Sequence, residues 1–156
     1  MNWLSNLFDR DGLVGDVAGN GDVEPLPAPA TAEAPIDALE RLVRTAAPAL
    51  STTAYSLARR LDDVLRPLIA HTSEHPPLTE QRLALDYLVE DFVPTAVRLY
   101  VQLRPEDRGL GSRADELLVQ QLETLLLNAR MLSDTIHADA LAALATHAIF
   151  VDTTLS

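Results

Sequence analysis

The sequence predicts an all-α protein: an up-down bundle of three to five helices, preceded by a disordered linker and a short amphipathic N-terminal tip. Two observations predict this fold class. Apolar residues recur at three- and four-residue intervals through most of the 156 residues, which is the period of a helix with one buried face. No alternating run of β-branched residues, the pattern of a strand, occurs. Short connections between long helices then favour antiparallel neighbours.

The start of the chain differs from the rest in composition. Residues 1–11 carry four large apolar side chains at helical spacing: Trp3, Leu4, Leu7 and Phe8. Such a short amphipathic helix is marginal alone in water. Residues 12–35 are rich in Gly, Pro, Ala and Asp, a composition that buries too little apolar surface to offset its ordering entropy. We therefore predict a tip (1–11), a flexible linker (12–35) and a helical bundle domain (36–156).

Two helices are predicted before the Pro-Pro pair at residues 76 and 77. Asp37 is the expected N-cap of the first, and Pro48 is expected to end or kink it. The second helix has apolar residues spaced by 4, 3, 1 and 3: Leu57, Leu61, Val64, Leu65 and Leu68. Pro76 and Pro77 close it, because they remove two backbone donors and push the preceding residue out of the α region.

A third helix is predicted from Thr79, its N-cap, to about residue 103. Leu78 and Leu83 flank the cap at the positions of a hydrophobic staple. Pro94 would cost ~3 kcal/mol inside an unkinked helix, so a kink is expected near residues 90–94. Apolar positions along this helix are Leu83, Tyr87, Leu88, Val93, Val97, Tyr100 and Leu103. The aromatic side chains are expected to fill the core or the kink: Tyr87, Phe92 and Tyr100.

A loop over residues 104–111 leads to a long helical stretch, with Ser112 and Asp115 as a variant capping box. The expected buried stripe comprises Leu118, Leu122, Leu125, Leu126, Ala129, Leu132 and Ile136. It continues with heptad spacing at Leu141, Leu144, Ala148, Val151 and Leu155. We predict a break around residues 133–139, where Ser, Asp and Thr compete for backbone hydrogen bonds. One continuous helix over 113–155 stays open, since that stretch has no Gly or Pro.

Charge and cysteine usage exclude several function classes. The chain has 23 acidic and 12 basic residues, and its formal net charge is −11. An acidic surface repels phosphate and anionic lipid, so we expect no nucleic-acid partner and at most peripheral membrane contact. There are no cysteines, which excludes disulfides and zinc sites of the Cys type and fits a reducing compartment. The start lacks the features of a signal peptide, so we expect a cytoplasmic protein, with a membrane-peripheral location left open.

The histidines are the main candidate metal ligands. His71 and His75 stand four residues apart, a spacing that recurs in metal sites. The simpler interpretation is that a protonated histidine complements the end of a helix. Further ligands, His137 with Asp134 and Asp139, could help only if that turn folded beside His71. No catalytic motif is present in the sequence, and we predict no catalytic residue, cofactor or metal.

The N-terminal tip is the strongest candidate for binding. An exposed Trp and Phe that a linker holds away from the bundle have no structural reason to be there. Three alternatives are open: docking on a partner protein, folding back on the bundle, and lying on a membrane surface, which neighbouring acids disfavour. The predicted partner-binding residues are Trp3, Leu4, Leu7 and Phe8.

A pattern in the second half of the chain carries a family resemblance. Val93-Pro94 leads to Tyr100, then to a Leu/Gln-rich helix around residues 118–126 and a final helical segment opened by Asp139. Over about residues 78–155 this pattern resembles the helical XpaC family, described as 5-bromo-4-chloroindolyl phosphate hydrolysis proteins. The resemblance implies a bacterial helical protein linked to envelope stress or tellurite-type resistance, and most simply an adaptor. It transfers no catalytic residue.

We therefore expect a non-enzymatic adaptor, in which the bundle holds one partner or its own copy while the tip captures another protein. One alternative is a phosphate-ester hydrolase, which only the family description suggests. The other alternative is a structural component of a homo-oligomeric assembly, because the heptad surface of residues 141–155 could pair between chains.

Overall fold

The computed structural model describes residues 33–155, and within them the fold is all-α, with helices joined by short turns and no strand. The helices are α1 (Pro35–Ala46), α2 (Thr52–Glu74), α3 (Thr79–Tyr87), α4 (Val93–Val101) and α5 (Arg113–Leu155). A π-helical turn, Leu88–Phe92, joins α3 to α4, and short 3-10 turns lie at Ala47–Ala49 and Pro105–Asp107. The predicted fold class is confirmed. The predicted tip and nearly all of the predicted linker lie outside the described residues.

The helices form an up-down-up-down bundle. Asp37 of α1 pairs with Arg66 of α2. Glu40, one turn later in α1, also pairs with Arg59, which lies two turns earlier in α2. Helices α1 and α2 are therefore antiparallel. At one end of the bundle Gln81 of α3 reaches Asp139 of α5. Further along, α4 lies beside the first half of α5. The α3–α4 unit therefore runs opposite to α5, and α5 runs in the same direction as α2.

The core lies between α1, α2, the α3–α4 unit and α5. The predicted apolar stripe of α2 is buried at Leu57, Leu61, Leu65 and Leu68. The predicted stripe of α5 is buried at Leu118, Leu122, Leu126, Ala129 and Ile136, and Leu125 and Leu132 pack partly buried against it. Burial of these faces, at about 25 cal/mol per Å² of apolar surface, is the main stabilising contribution to the bundle.

Two predicted N-caps are wrong by a few residues. Helix α1 has Ala34 as its N-cap with Pro35 in the first turn, because the fixed φ of proline suits that position. Asp37 instead lies in the first turn, where an acidic residue complements the helix dipole. Helix α3 has Leu78 as its N-cap, and the Leu78 N–H donates to Gln81 Oε1 at 3.1 Å. Thr79 is therefore the first helical residue.

The expected kink corresponds to the π-helical turn Leu88–Phe92. Pro94 has no N–H and its ring would clash with the carbonyl four residues earlier, and a π-turn relieves both problems at the cost of one extra residue. That extra residue rotates the preceding side chains relative to α4. Tyr100 is buried as predicted. The prediction that Tyr87 and Phe92 fill the core or the kink is wrong, because they are 49% and 48% exposed. Their rings stack on each other, with centroids 5.8 Å apart.

Three other apolar positions predicted in the third helix are also exposed. Leu78 and Leu83 are each more than half exposed, so the predicted staple does not bury them, and Leu103 lies beyond the end of α4 and is 38% exposed. Their exposure follows from the bundle geometry, since α3 is only nine residues long and packs through Gln81 and Leu85 instead.

Helix α5 is continuous over 43 residues, so the predicted break at residues 133–139 is wrong and the open alternative is correct. Thr135 donates its hydroxyl to the Met131 carbonyl at 2.9 Å, which satisfies that group without interrupting the helix. Ser112 caps the start as predicted: its Oγ accepts from the Asp115 N–H at 3.1 Å. Asp115 accepts in turn from the Gly111 N–H rather than from Ser112.

Tyr100 offers a test of the core. Its ring is 3% exposed, and its hydroxyl has no hydrogen-bond partner among the described residues. An unpaired buried hydroxyl costs free energy, so Tyr100→Phe is expected to leave the melting temperature unchanged or raise it. Ser51→Ala is the matched control, since it removes the N-cap bond to the Ala54 N–H and should cost about 1 kcal/mol. A Tyr100→Phe loss as large as that of Ser51→Ala would contradict this description of the hydroxyl.

Candidate functional site

Helix α5 continues well past the rest of the bundle. Its last buried residue is Ile136, and every residue from 137 to 155 is exposed. The turn between α2 and α3 lies at the level of His137 and Asp139, which contact His71 and Gln81. Residues 140–155, here called the α5 extension, therefore project beyond it by about 24 Å at 1.5 Å per residue.

The surface of the α5 extension is largely apolar. Within these 16 residues the only formal charge is that of Asp152. The three threonine hydroxyls donate to carbonyls of their own helix at 2.7–2.9 Å, which leaves their methyl groups to face outward: Thr146, Thr153 and Thr154. The large apolar side chains are exposed: Leu141, Leu144, Ile149, Phe150, Val151 and Leu155.

Five residues of the α5 extension form the predicted heptad stripe: Leu141, Leu144, Ala148, Val151 and Leu155. The expectation that this stripe continues the buried face is wrong, because all five are exposed. The physical reason is that α2 has ended at Glu74 and α3 has begun at Thr79, so no described helix lies alongside. Spacing of 3, 4, 3 and 4 keeps the stripe on one side of the helix.

The extension also carries exposed side chains that the sequence reasoning missed. Ile149 and Phe150 are 69% and 62% exposed and do not belong to the heptad stripe. A run of 16 residues with one formal charge was the available signal, because a helix that is apolar on all sides is typically buried. The contact surface of the α5 extension is therefore wider than one stripe.

Three histidine rings stack where the α5 extension leaves the bundle. The ring centroids of His71 and His75 are 4.9 Å apart, and those of His71 and His137 are 4.8 Å apart, with interplanar angles of 19° and 24°. The sequence analysis required the region around His137 to lie beside His71, and the His137 ring does lie there. Asp139 is engaged elsewhere, because its carboxylate accepts from Gln81 Nε2 at 2.6 Å.

The hydrogen bond of His137 fixes the role of each ring nitrogen. His137 Nδ1 lies 2.7 Å from the carbonyl oxygen of Ser133. A carbonyl only accepts, so Nδ1 donates, and in the neutral ring Nε2 carries the free lone pair. As the side chains stand, no group of three or more His, Cys, Asp or Glu within residues 33–155 is arranged to hold a metal ion. Stacked rings direct their nitrogens along parallel planes rather than toward one point.

One arginine joins α1 to α2. The Arg66 guanidinium lies 2.7 Å from Asp37, 2.9 Å from Glu40 and 3.2 Å from Asp62. These hydrogen bonds, first that of Asp37 and then that of Asp62, raise the pKa of Arg66 above its ordinary value. The carboxylates of Asp37 and Glu40 in α1 and the Arg66 cation of α2 hold the two helices together, which is a structural role.

A groove of about 520 Å³ lies between α4 and α5. Phe92 and Leu99 line one side, and Gln120 and Gln121 line the other. Asp91, the one ionisable residue among those that line it, accepts from the Thr95 hydroxyl at 3.1 Å. Among the described residues, the groove therefore brings together no pair of ionisable groups of the kind that acid–base catalysis uses.

Two predictions about binding remain: the partner-binding residues of the tip, and contact with a membrane. Trp3, Leu4, Leu7 and Phe8, the predicted partner-binding residues, lie outside the described residues, so their role stays a prediction. Among helices within residues 33–155, none combines the length and the apolar character needed to cross a bilayer.

Comparisons of the chain with protein-family models, with curated proteins and with solved structures found no match. The resemblance to the XpaC family stays a prediction that rests on the sequence pattern alone.

Proposed function

We propose that this chain is a non-enzymatic protein-interaction module that self-associates through the α5 extension. The observation that supports the proposal is a 16-residue helical segment with exposed apolar side chains that no described residue covers. Covering its apolar surface would stabilise it, and a second copy of this chain is the occupant that its features favour.

The heptad stripe supports a second copy as the occupant. A stripe with 3-4-3-4 spacing is complementary to itself, because the knobs of one helix fit the holes between the same residues of another. Such pairing gives a two-fold symmetric interface, the commonest arrangement in homo-oligomers. The net charge of −11 opposes association of two chains in general, but the α5 extension contributes only Asp152 to it.

The magnitudes favour a reversible dimer. Two copies bring eight large heptad side chains together, each worth about 1.5–3 kcal/mol when fully buried. Helices that pair along one seam bury only part of each side chain. The cost of association, about 4–15 kcal/mol, therefore offsets most of the gain. We expect the dimer to form and dissociate with protein concentration.

Charge also favours an antiparallel pair. A parallel pair would place two acidic bundles side by side at the same end of the paired helices. An antiparallel pair places them at opposite ends, separated by about 24 Å of helix, which exceeds the screening length of about 8 Å at physiological salt. The antiparallel arrangement therefore avoids most of the repulsion between bundles.

The test is the mass of the full chain in solution by light scattering over a range of concentrations. We expect the mass to rise from 17.0 kDa toward twice that value. The Leu144→Glu, Val151→Glu double variant should stay monomeric, because a dimer would bury four unpaired carboxylates at the seam, two from each chain. The matched control is Leu99→Glu, Leu127→Glu, since both of these leucines are 59% exposed outside the extension. It should associate like the wild type.

A wild-type chain that stays monomeric at its highest soluble concentration would contradict the proposal. So would a Leu99→Glu, Leu127→Glu variant that loses as much association as the Leu144→Glu, Val151→Glu variant. Orientation can be read separately, because the chain has no cysteine. Ala148→Cys lies at the centre of the stripe and should cross-link between copies under oxidation. Leu141→Cys should cross-link with itself only in a parallel pair, so we expect it not to.

The expected adaptor role rests on the N-terminal tip rather than on the α5 extension. In a dimer of this kind each particle would carry two copies of Trp3 and Phe8, and a partner with two matching sites would be held more tightly than by one copy. That adaptor role of the tip stays a prediction. The phosphate-ester hydrolase rests only on the family description.

A further inference from the structure

We propose that the groove between α4 and α5 binds a small organic cation, namely an amine attached to an apolar body. The groove has a volume of about 520 Å³, which lies within the range of about 300–1,000 Å³ that is usual for small-molecule sites. Its apolar lining consists of Phe92, Ala96 and Leu99 on one side and Leu125 on the other. This proposal is independent of self-association, because it uses no residue of the α5 extension.

Asp91 supplies a negative charge at the rim of the groove. Its side chain is exposed and accepts from the Thr95 hydroxyl at 3.1 Å. Within residues 33–155 this carboxylate has no ion pair with an arginine or a histidine. A ligand that fills the groove would displace water from the carboxylate, which costs free energy unless the ligand pairs with it. The ligand is therefore expected to carry a positive charge where it meets Asp91.

The other lining residues leave Asp91 as the only charge among the described residues of the groove. Gln120 and Gln121 line the opposite side with neutral amides. The hydroxyl of Thr124 is already engaged, because it donates to the Gln120 carbonyl at 3.0 Å. An anion would meet no cation here, and the formal net charge of −11 repels it. The charges therefore favour a ligand with one positive group.

An aromatic pair beside Asp91 adds a second attraction for a cation. The rings of Tyr87 and Phe92 stack with their centroids 5.8 Å apart, and each side chain is about half exposed. The face of an aromatic ring attracts an ammonium group through its quadrupole. Asp91 and Phe92 both belong to the π-helical turn Leu88–Phe92, and turns of this kind inside helices often lie at functional sites. The turn thus places a carboxylate and an aromatic ring at the same groove.

The test uses three probes that share one apolar body and differ in charge: phenylbutylamine, phenylbutanol and phenylbutyrate. At neutral pH the first is a cation and the last an anion. Each is titrated into the full chain, and binding is followed by the chemical shifts of assigned backbone amides. We expect the amine to bind with a dissociation constant in roughly the millimolar range, with its largest shifts around Leu88–Phe92. The alcohol should bind about three- to tenfold more weakly, and the carboxylate more weakly still.

Two variants separate the charge of Asp91 from the charge of the whole surface. Asp91→Asn keeps an oxygen that can accept from Thr95 and removes the charge, so it should bind the amine only as well as the alcohol. Asp86→Asn is the matched control, because Asp86 is an exposed carboxylate of α3 that does not line this groove. It changes the net charge by the same amount and should bind the amine like the wild type.

Phe92→Ala removes the aromatic wall of the groove and should weaken binding of both the amine and the alcohol. Phe92 is 48% exposed, so this variant is expected to fold, and circular dichroism of each variant checks that it does.

Four results would overturn the proposal. The first is that the wild-type chain shows no shifts with the amine at tens of millimolar. The second is equal affinity for the amine and the alcohol, which would leave the charge of Asp91 without a role. The third is equal loss in Asp91→Asn and Asp86→Asn, which would assign the attraction to the acidic surface in general. The fourth is a set of shifts confined to the α5 extension, which would place the amine on that apolar helix instead.

Discussion

Replacing Leu122 by alanine is expected to lower the free energy of unfolding by about 3 kcal/mol. Leu122 has no exposed surface and lies in the middle of the buried stripe of α5, where α2 and the α3–α4 unit pack against it. Truncation there removes buried methyl groups and leaves a cavity that the neighbouring helices cannot fill. Denaturant unfolding followed by circular dichroism at the helix band gives the change directly.

Leu127→Ala is the matched control for this prediction. Leu127 lies on the same helix, is truncated by the same atoms and is 59% exposed, so the change is expected to stay within about 0.5 kcal/mol. Alanine is a slightly better helix former than leucine, and this difference acts equally at both positions. Similar losses at the two positions would show that the buried face of α5 is not the one described.

The periodicity of α5 shows what a sequence can and cannot predict. The spacing around Leu122 and the spacing around Leu144 both indicate a helix with one apolar face, and the helix is present at both places. Only the first face is covered by the bundle. Periodicity reports that a face avoids water, but the identity of its partner depends on where the neighbouring helices end. That is set by the turn between Glu74 and Thr79.

Local hydrogen bonds explain the smaller differences at helix ends. Thr79 and Leu78 compete for the N-cap of α3, and the position is decided by Gln81, whose side chain accepts from the Leu78 N–H. The two candidate caps differ by the free energy of one hydrogen bond, about 1 kcal/mol. A pattern of residue types does not resolve so small a difference, whereas Pro94 carries a penalty large enough to place the irregular turn within a few residues.

The histidine cluster depends on tertiary structure in a different way. His71 and His75 are neighbours by helical spacing alone, so the sequence could place them together. His137 joins them only because α2 and α5 run in the same direction and are in register at that level. Direction and register follow from packing of the whole bundle. For this reason the sequence pattern alone could not predict whether His137 lies beside His71.

Replacing Arg66 by methionine is expected to lower the free energy of unfolding by about 2 kcal/mol, between the costs of breaking an exposed and a buried ion pair. Methionine keeps the apolar stem and removes the cation that Asp37, Glu40 and Asp62 share. Breaking a buried ion pair costs about 3–5 kcal/mol, but the Arg66 side chain is 41% exposed, so solvent screening reduces the effect. The remaining loss comes mainly from Asp62, whose side chain is 12% exposed and would lose its partner.

The control is Arg44→Met, which removes one surface ion pair to Glu40 at 2.6 Å from an arginine that is 74% exposed. Exposed pairs of this kind contribute about 0.3–0.5 kcal/mol. Because the same carboxylate, that of Glu40, pairs with both arginines, the comparison separates the shared network from a single surface contact. Losses of equal size in the two variants would show that α1 is held by its apolar face alone.

The dependence on pH follows from the direction of the Arg66 pKa shift. The folded state raises this pKa, chiefly through the hydrogen bond to Asp37 and then through that to Asp62. A cation whose pKa is raised contributes its stability fully below the unfolded-state pKa, and the contribution is lost only as pH rises through the folded-state value. Both values lie far above neutrality for arginine. The difference between the wild type and Arg66→Met should therefore stay constant between about pH 7 and 9, while added salt should reduce it because the network is partly exposed.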